Sequence, residues 1–104
     1  MTYLQTFYEP SAATTNATSL AFSREGSIWN YQGLIVGTGA VSATVTMQVS
    51  NDGTNWETFG TLSLTGTTTD TDTVSGNAPW RLHRCVISSI SGTGAAVNVF
   101  GIGV

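Results

Sequence analysis

Ser50-Asn51-Asp52-Gly53-Thr54-Asn55-Trp56 separates the two segments from which the fold is read. Asn and Asp tolerate positive φ and hydrogen-bond their own backbone, and Gly takes positive φ without steric cost. Upstream, residues 43–49 alternate strictly, with Ala43, Val45, Met47 and Val49 on one side and Thr44, Thr46 and Gln48 on the other. That period of two describes an antiparallel strand with one packed face and one wet face. Downstream, Trp56 to Leu64 reads as the return strand, with Trp56 re-entering the sheet as a core anchor. Leu62 and Leu64 share the parity of Trp56, whereas Phe59 does not, so a bulge is expected near Gly60. The stretch is the tip of a β-hairpin.

The same reading extends outward. Residues 28–36 form a long strand with Trp29 and Tyr31 on one face and Ile28, Leu34 and Val36 on the other. Gly33 in its middle predicts a bulge or a close backbone contact. Residues 37–40 are read as a turn, and the Thr-rich run 65–77 as an exposed polar loop. Ala78-Pro79-Trp80 opens the next strand, 80–90, whose Leu82, Val86 and Ile90 oppose Cys85 and Ile87, as in a central strand. Residues 91–95 turn the chain into a last strand, 96–104, where the apolar phase shifts between Val97/Val99 and Phe100/Ile102/Val104. Either a bulge or a segment covered on both sides would explain that shift. Ile35-Val36-Gly37-Thr38-Gly39-Ala40 echoes Ile90-Ser91-Gly92-Thr93-Gly94-Ala95, which suggests two hairpins of similar build. Leu20-Ala21-Phe22 adds a short strand. No segment has a helical period. The expected fold is all-β, an antiparallel β-sandwich, jelly-roll or Ig-like, of about seven or eight strands.

Two regions are expected, an N-terminal arm at 1–18 and the β-sandwich at 19–104. The arm carries Tyr3, Leu4, Phe7 and Tyr8 and is broken by Glu9-Pro10-Ser11. It is either an edge strand on the domain's own sheet or an extended docking element whose aromatics reach a neighbouring subunit.

Composition narrows the function. The chain's 104 residues suffice for one core. Only 9% of residues are charged, against roughly 25% in ordinary soluble domains. There is no lysine, and the formal net charge is −3. Three scattered arginines make no basic patch for nucleic acid. No apolar run approaches the roughly 20 residues that span a membrane, and no basic stretch followed by an apolar run predicts a signal peptide. A β-protein with so little charge risks edge-to-edge association, and burial of the edges in an oligomer or a larger assembly is one remedy.

No residue set predicts an enzyme. Asp70 and Asp72 fall in the Thr-rich run, and Asp52 and Glu57 flank the tip, so no two acids are placed over a cleft as a glycosidase requires. Asn51, Asp52, Asn55 and Glu57 lack EF-hand spacing, and turn chemistry accounts for them; no metal and no cofactor is expected. His83 is read as a half-exposed strand histidine and the single Cys85 as a small buried apolar group. Arg84, mid-strand, is expected to reach a carboxylate or carbonyl, with Glu57 and Asp52 as candidates within the domain and a subunit contact as the alternative. Trp29, Trp56 and Trp80 are expected mainly as core aromatics, with interface or sugar-stacking roles as alternatives.

The ordered set Val49-Ser50-Asn51-Asp52-Gly53-Thr54-Asn55-Trp56, Gly60-Thr61-Leu62-Ser63-Leu64-Thr65-Gly66-Thr67, Ala78-Pro79-Trp80-Arg81 and Ile90-Ser91-Gly92-Thr93-Gly94-Ala95 resembles a group of small tailed-bacteriophage structural proteins, over roughly residues 34–104. The resemblance implies a virion component: a capsid decoration or head-fibre protein, or a tail-associated β-domain. It carries over no catalytic or ligand residue. The expectation is a protein of the particle surface that binds capsid or other virion proteins and itself, as a trimer or dimer. Tyr3, Leu4, Phe7, Tyr8 and Arg84 are its candidate contact residues. The alternative is a tail or fibre domain that binds a host-surface glycan.

Overall fold

Alternation runs further along this chain than ordinary strands of about five or six residues do. The computed structural model describes residues 5–8, 14–18, 22–23 and 27–103. It contains three short strands, β1 (Gln5–Tyr8), β2 (Ala17–Thr18) and β3 (Phe22–Ser23). Three very long ones follow: β4 (Ile28–Ser50), β5 (Glu57–Asn77) and β6 (Leu82–Gly103). All pair antiparallel in one sheet of order β1-β6-β4-β5, with β2 and β3 also on β6.

A flat β4 of 23 residues would extend roughly 75 Å, yet the longest dimension of the molecule is 43 Å. The sheet is therefore doubled over. One leaf holds residues 28–36, 69–77 and 96–103, and the other holds 41–50, 57–67 and 82–91. The core lies between them. Trp29, Tyr31 and Ile35 of the first leaf and Val45, Met47, Val49, Leu62 and Leu64 of the second are all buried. The leaves meet closely at Gly33, where a Cβ would lie 2.9 Å from Leu62 Cδ1, and at Gly60, where one would lie 2.5 Å from Val74 Cγ2. At Gly33 the close neighbours are leucine side chains rather than backbone, and the β4–β5 and β4–β6 registers pass through it without a bulge.

All three strands bend at one corner. Register is lost around Thr38, which pairs with Thr93. The echoing Gly-Thr-Gly-Ala segments are thus neighbours across one bend, not two hairpins, and 37–40 and 91–95 are strand residues rather than turns. Gly92 has φ 123°, and a Cβ there would meet the Ala40 carbonyl oxygen at 2.7 Å. On β5 the corner instead holds Thr68 at φ 67°, a costly conformation for a β-branched residue.

Other expectations meet the structure unevenly. The hairpin tip lies at 51–55, and Phe59 is the extra residue between the pairs Met47/Gly60 and Gln48/Thr58, so the bulge falls beside Gly60. The loop expected at 65–77 is strand, paired with 28–42. Thr is a strong strand former, and Asp70, Asp72 and Val74 share one parity within the Thr run. In β6 the extra residue is Ser88, between the pairs Thr44/Ser89 and Val45/Ile87, which turns both Ile87 and Ile90 toward the core. Its carbonyl accepts from Asn16 Nδ2 at 3.0 Å. No bulge interrupts 96–103, where the register with β4 is continuous. Of the segment 1–18, Gln5–Tyr8 and Ala17–Thr18 pair with β6, whereas Tyr3 and Leu4 lie outside the described residues.

The corner generates a contrast in stability. Gly92→Ala should cost about 2 kcal/mol or more, since it adds both strain and overlap. Thr68→Gly should be neutral or stabilising by up to about 1 kcal/mol, because relief of strain outweighs added backbone freedom in the unfolded chain. Urea denaturation of both variants measures the difference.

Candidate functional site

Three side-chain groups sit where the leaves end or meet, and one open face covers the first leaf. The hairpin tip is organised by Ser50 and Asp52. Asp52 Oδ1 accepts from the backbone N–H of Thr54 and Asn55, each at 2.8 Å, and from Ser50 Oγ at 3.0 Å, while Oδ2 accepts from Asn55 Nδ2 at 2.7 Å. Ser50 Oγ accepts in turn from the N–H of Asp52 and Gly53. These donors, Asn55 foremost, hold the Asp52 carboxyl below the usual carboxylate range. The acid is thus consumed by turn geometry. Arg81 ties the tip to the following link, donating its backbone N–H to Asn51 Oδ1 and its guanidinium to the Asn51 carbonyl.

Trp56 is half-buried and precedes β5, so it is not the core anchor expected of it. The Arg84 guanidinium carbon lies 4.2 Å from the centre of its ring. Arg84 Nε donates to Gln48 Oε1 at 2.7 Å. Neither Glu57 nor Asp52 is its bonding partner in these contacts: β4 and β6 pair Gln48 directly with Arg84, which puts an amide oxygen closer to hand. A cation over an aromatic face gains about 0.5–1 kcal/mol at an exposed site.

Between the leaves lies a buried cluster that sequence reading missed. His83, expected half-exposed, is fully buried. Its ring lies 4.7 Å from Trp29, and Tyr31 Oη is 2.6 Å from its Nδ1. Burial raises the Tyr31 pKa well above the usual phenol range, with Cys85 adding to the effect, so Tyr31 stays protonated. Burial also lowers the His83 pKa, opposed by a hydrogen bond at the Trp80 backbone. Cys85 shares the His83 face, as its spacing predicts, and contacts Met47 Sδ at 3.5 Å. The pairing of residues 31 and 83 follows from leaf stacking and has no local sequence signal. Among the described residues, no group of three or more His, Cys, Asp or Glu could hold a metal ion.

The outer face of the first leaf differs from these. On β4, Ile28, Leu34 and Val36 alternate with buried residues and are spaced by Asn30 and Gln32. Thr69, Thr71 and Thr73 flank them on β5, and Asn98 and Phe100 on β6. Among its described residues this face carries no charge. Ile28, Val36 and Phe100 are 51%, 39% and 36% exposed, the large hydrophobics that, among the described residues, are left open to solvent. Of the residues expected to contact partners, Tyr8 pairs with Phe100 and Phe7 with Gly101 through the backbone, so β1 borders this face, whereas Arg84 lies on the other leaf. No family model matches the chain, and no curated protein matches it.

The buried pair makes stability depend on pH. Tyr31→Phe leaves His83 Nδ1 without that partner and should cost about 1–3 kcal/mol. Because the folded state resists protonating His83, the unfolded state binds more protons below the ordinary imidazole pKa of about 6.5. Stability should be level above that pH and fall below it, by at most about 1.4 kcal/mol per pH unit from this residue. Denaturation midpoints compared between pH 8 and pH 5 should show the fall in the native chain and a flatter profile in His83→Asn.

Proposed function

We propose that this protein is a non-enzymatic structural component of a tailed-bacteriophage particle, a capsid decoration or head-fibre protein that binds capsid subunits and copies of itself. The observation that carries the proposal is the uncharged outer face of the first leaf, with Ile28, Val36 and Phe100 exposed on it. Several exposed apolar side chains on one uncharged face, set among polar ones, suit an interaction site. Its Thr, Asn and Gln neighbours supply hydrogen bonds without net charge, which suits repeated weak contacts on a lattice where effective concentration does much of the binding. We read the doubled sheet as a β-sandwich with each long strand counted once per leaf, β1 completing one leaf and β2 with β3 the other. Counted that way the sandwich has nine strands, with bends in place of turns, where seven or eight are expected from the sequence.

Binding through the outer face is best tested by substitution rather than by truncation. Removal of residues 1–18 would also strip β1 and β2 from the edge of β6. The double variant Ile28→Lys/Val36→Lys changes exposed side chains and should keep its far-ultraviolet circular dichroism. It should lose most of its occupancy on particles, read by quantitative mass spectrometry of purified heads and tails. Full occupancy of the variant would rule this face out. A glycan-binding tail domain is the second reading, favoured by half-buried Trp56 at the tip. Fully buried Trp29 takes no part in it. Glycan-array binding lost in Trp56→Ala without unfolding would select that reading.

A further inference from the structure

The free edge of the sheet has its own chemistry. Among the described residues β5 is the outermost strand on the side away from β6, and half its main-chain groups face no described neighbouring strand. Lysine and proline, the usual blocks to strand addition, are both missing from β5. In their place, the strand's own carboxylates fold back on it. Asp72 Oδ2 accepts from the Ser63 N–H at 2.9 Å, and Asp70 Oδ2 accepts from the Thr65 N–H at 2.8 Å.

The match is one of period. Residues two apart on a strand present N–H groups in the same direction, about 7 Å apart. Asp70 and Asp72 are also two apart, on the opposite leaf of the same strand, and run antiparallel to Ser63 and Thr65 because β5 is bent at the corner. The two carboxylates therefore meet two outward N–H groups in register, where a neighbouring strand would otherwise place its carbonyls. A carboxylate accepts only. Once seated, it satisfies the edge donors and presents negative charge to the carbonyls of any approaching strand.

We infer that Asp70 and Asp72 are a built-in stop on the β5 edge, and that the contact they prevent is strand addition by β5 of a second copy of this chain. The inference is independent of any particle. Asp70→Ala/Asp72→Ala frees both N–H groups and removes both charges. By sedimentation it should self-associate at least about tenfold more tightly than the native chain, the factor that two recovered main-chain hydrogen bonds supply. Each single alanine variant should show a smaller increase, which covers the case in which the double variant does not fold. In the native chain, hydrogen exchange should be slower at the Ser63 and Thr65 amides than at Thr61, and this protection should be lost in the variants at concentrations where they are monomeric. Unchanged sedimentation of the variants, or Ser63 and Thr65 exchanging as fast as Thr61 in the native chain, would overturn the inference.

Discussion

Four residues between β5 and β6 dictate the shape of this molecule. β5 ends opposite Ile28, at one end of β4, and β6 begins opposite Ser50, at the other. On a flat sheet those ends would lie roughly 70 Å apart. The chain from Asn77 to Leu82 reaches at most about 18 Å. The connection is possible only if β4 brings its two ends together, so the sheet must double over. The link is itself part of the closure: Ala78 is fully buried and donates its N–H to the Ser27 carbonyl at 2.8 Å. Pro79 has no N–H to lose in such a crossing.

Doubling sets two demands at opposite ends. At the corner, three adjacent strands must bend together, and the backbones come too close for ordinary side chains. Glycines on all three strands meet that demand, Gly37, Gly66 and Gly92, while β5 also holds Thr68 under strain. At the open end the leaves need a contact that a greasy interface alone would not orient. Trp29, Tyr31 and His83 supply it, with one directional hydrogen bond inside an aromatic stack. Burying His83 there has a cost in pH range, since an imidazole taken out of water resists protonation.

Much of this architecture was legible in the sequence, and the misses share a physical cause. Period-two alternation located β4 and its buried face, and turn chemistry located the tip, because both signals are local. Glycine was ambiguous. Gly37-Thr38-Gly39 and Gly92-Thr93-Gly94 require unusual backbone in either a turn or a bend, and only the pairing partner of Thr38 distinguishes the two. In the run 65–77 polarity masks the β-propensity of Thr, although Asp70, Asp72 and Val74 keep strand parity. His83 could not be placed from its neighbours, since its partner is 52 residues away on the other leaf. The exposed face was visible in part: Ile28, Leu34 and Val36 were on one parity from the start, but which parity faced water depended on what Trp29 and Tyr31 packed against.

A chain with so few charges must still avoid its own copies, and the distribution of those charges bears on how. On one side β1, β2 and β3 occupy the edge of β6. On the other, two of the chain's six acids sit on β5 and accept from its outward N–H groups. Asp52 is spent on the tip, and Arg84 on Trp56 and Gln48. The charges that the fold positions are thus used at the β5 edge, at the tip and beside Trp56, and none of them lies on the described outer face of the first leaf. Strand addition is open-ended and leads to aggregates, whereas a face contact has a fixed area and can close. Under the proposed function, blocking the first while leaving the second uncharged would let association stop at a defined number of copies.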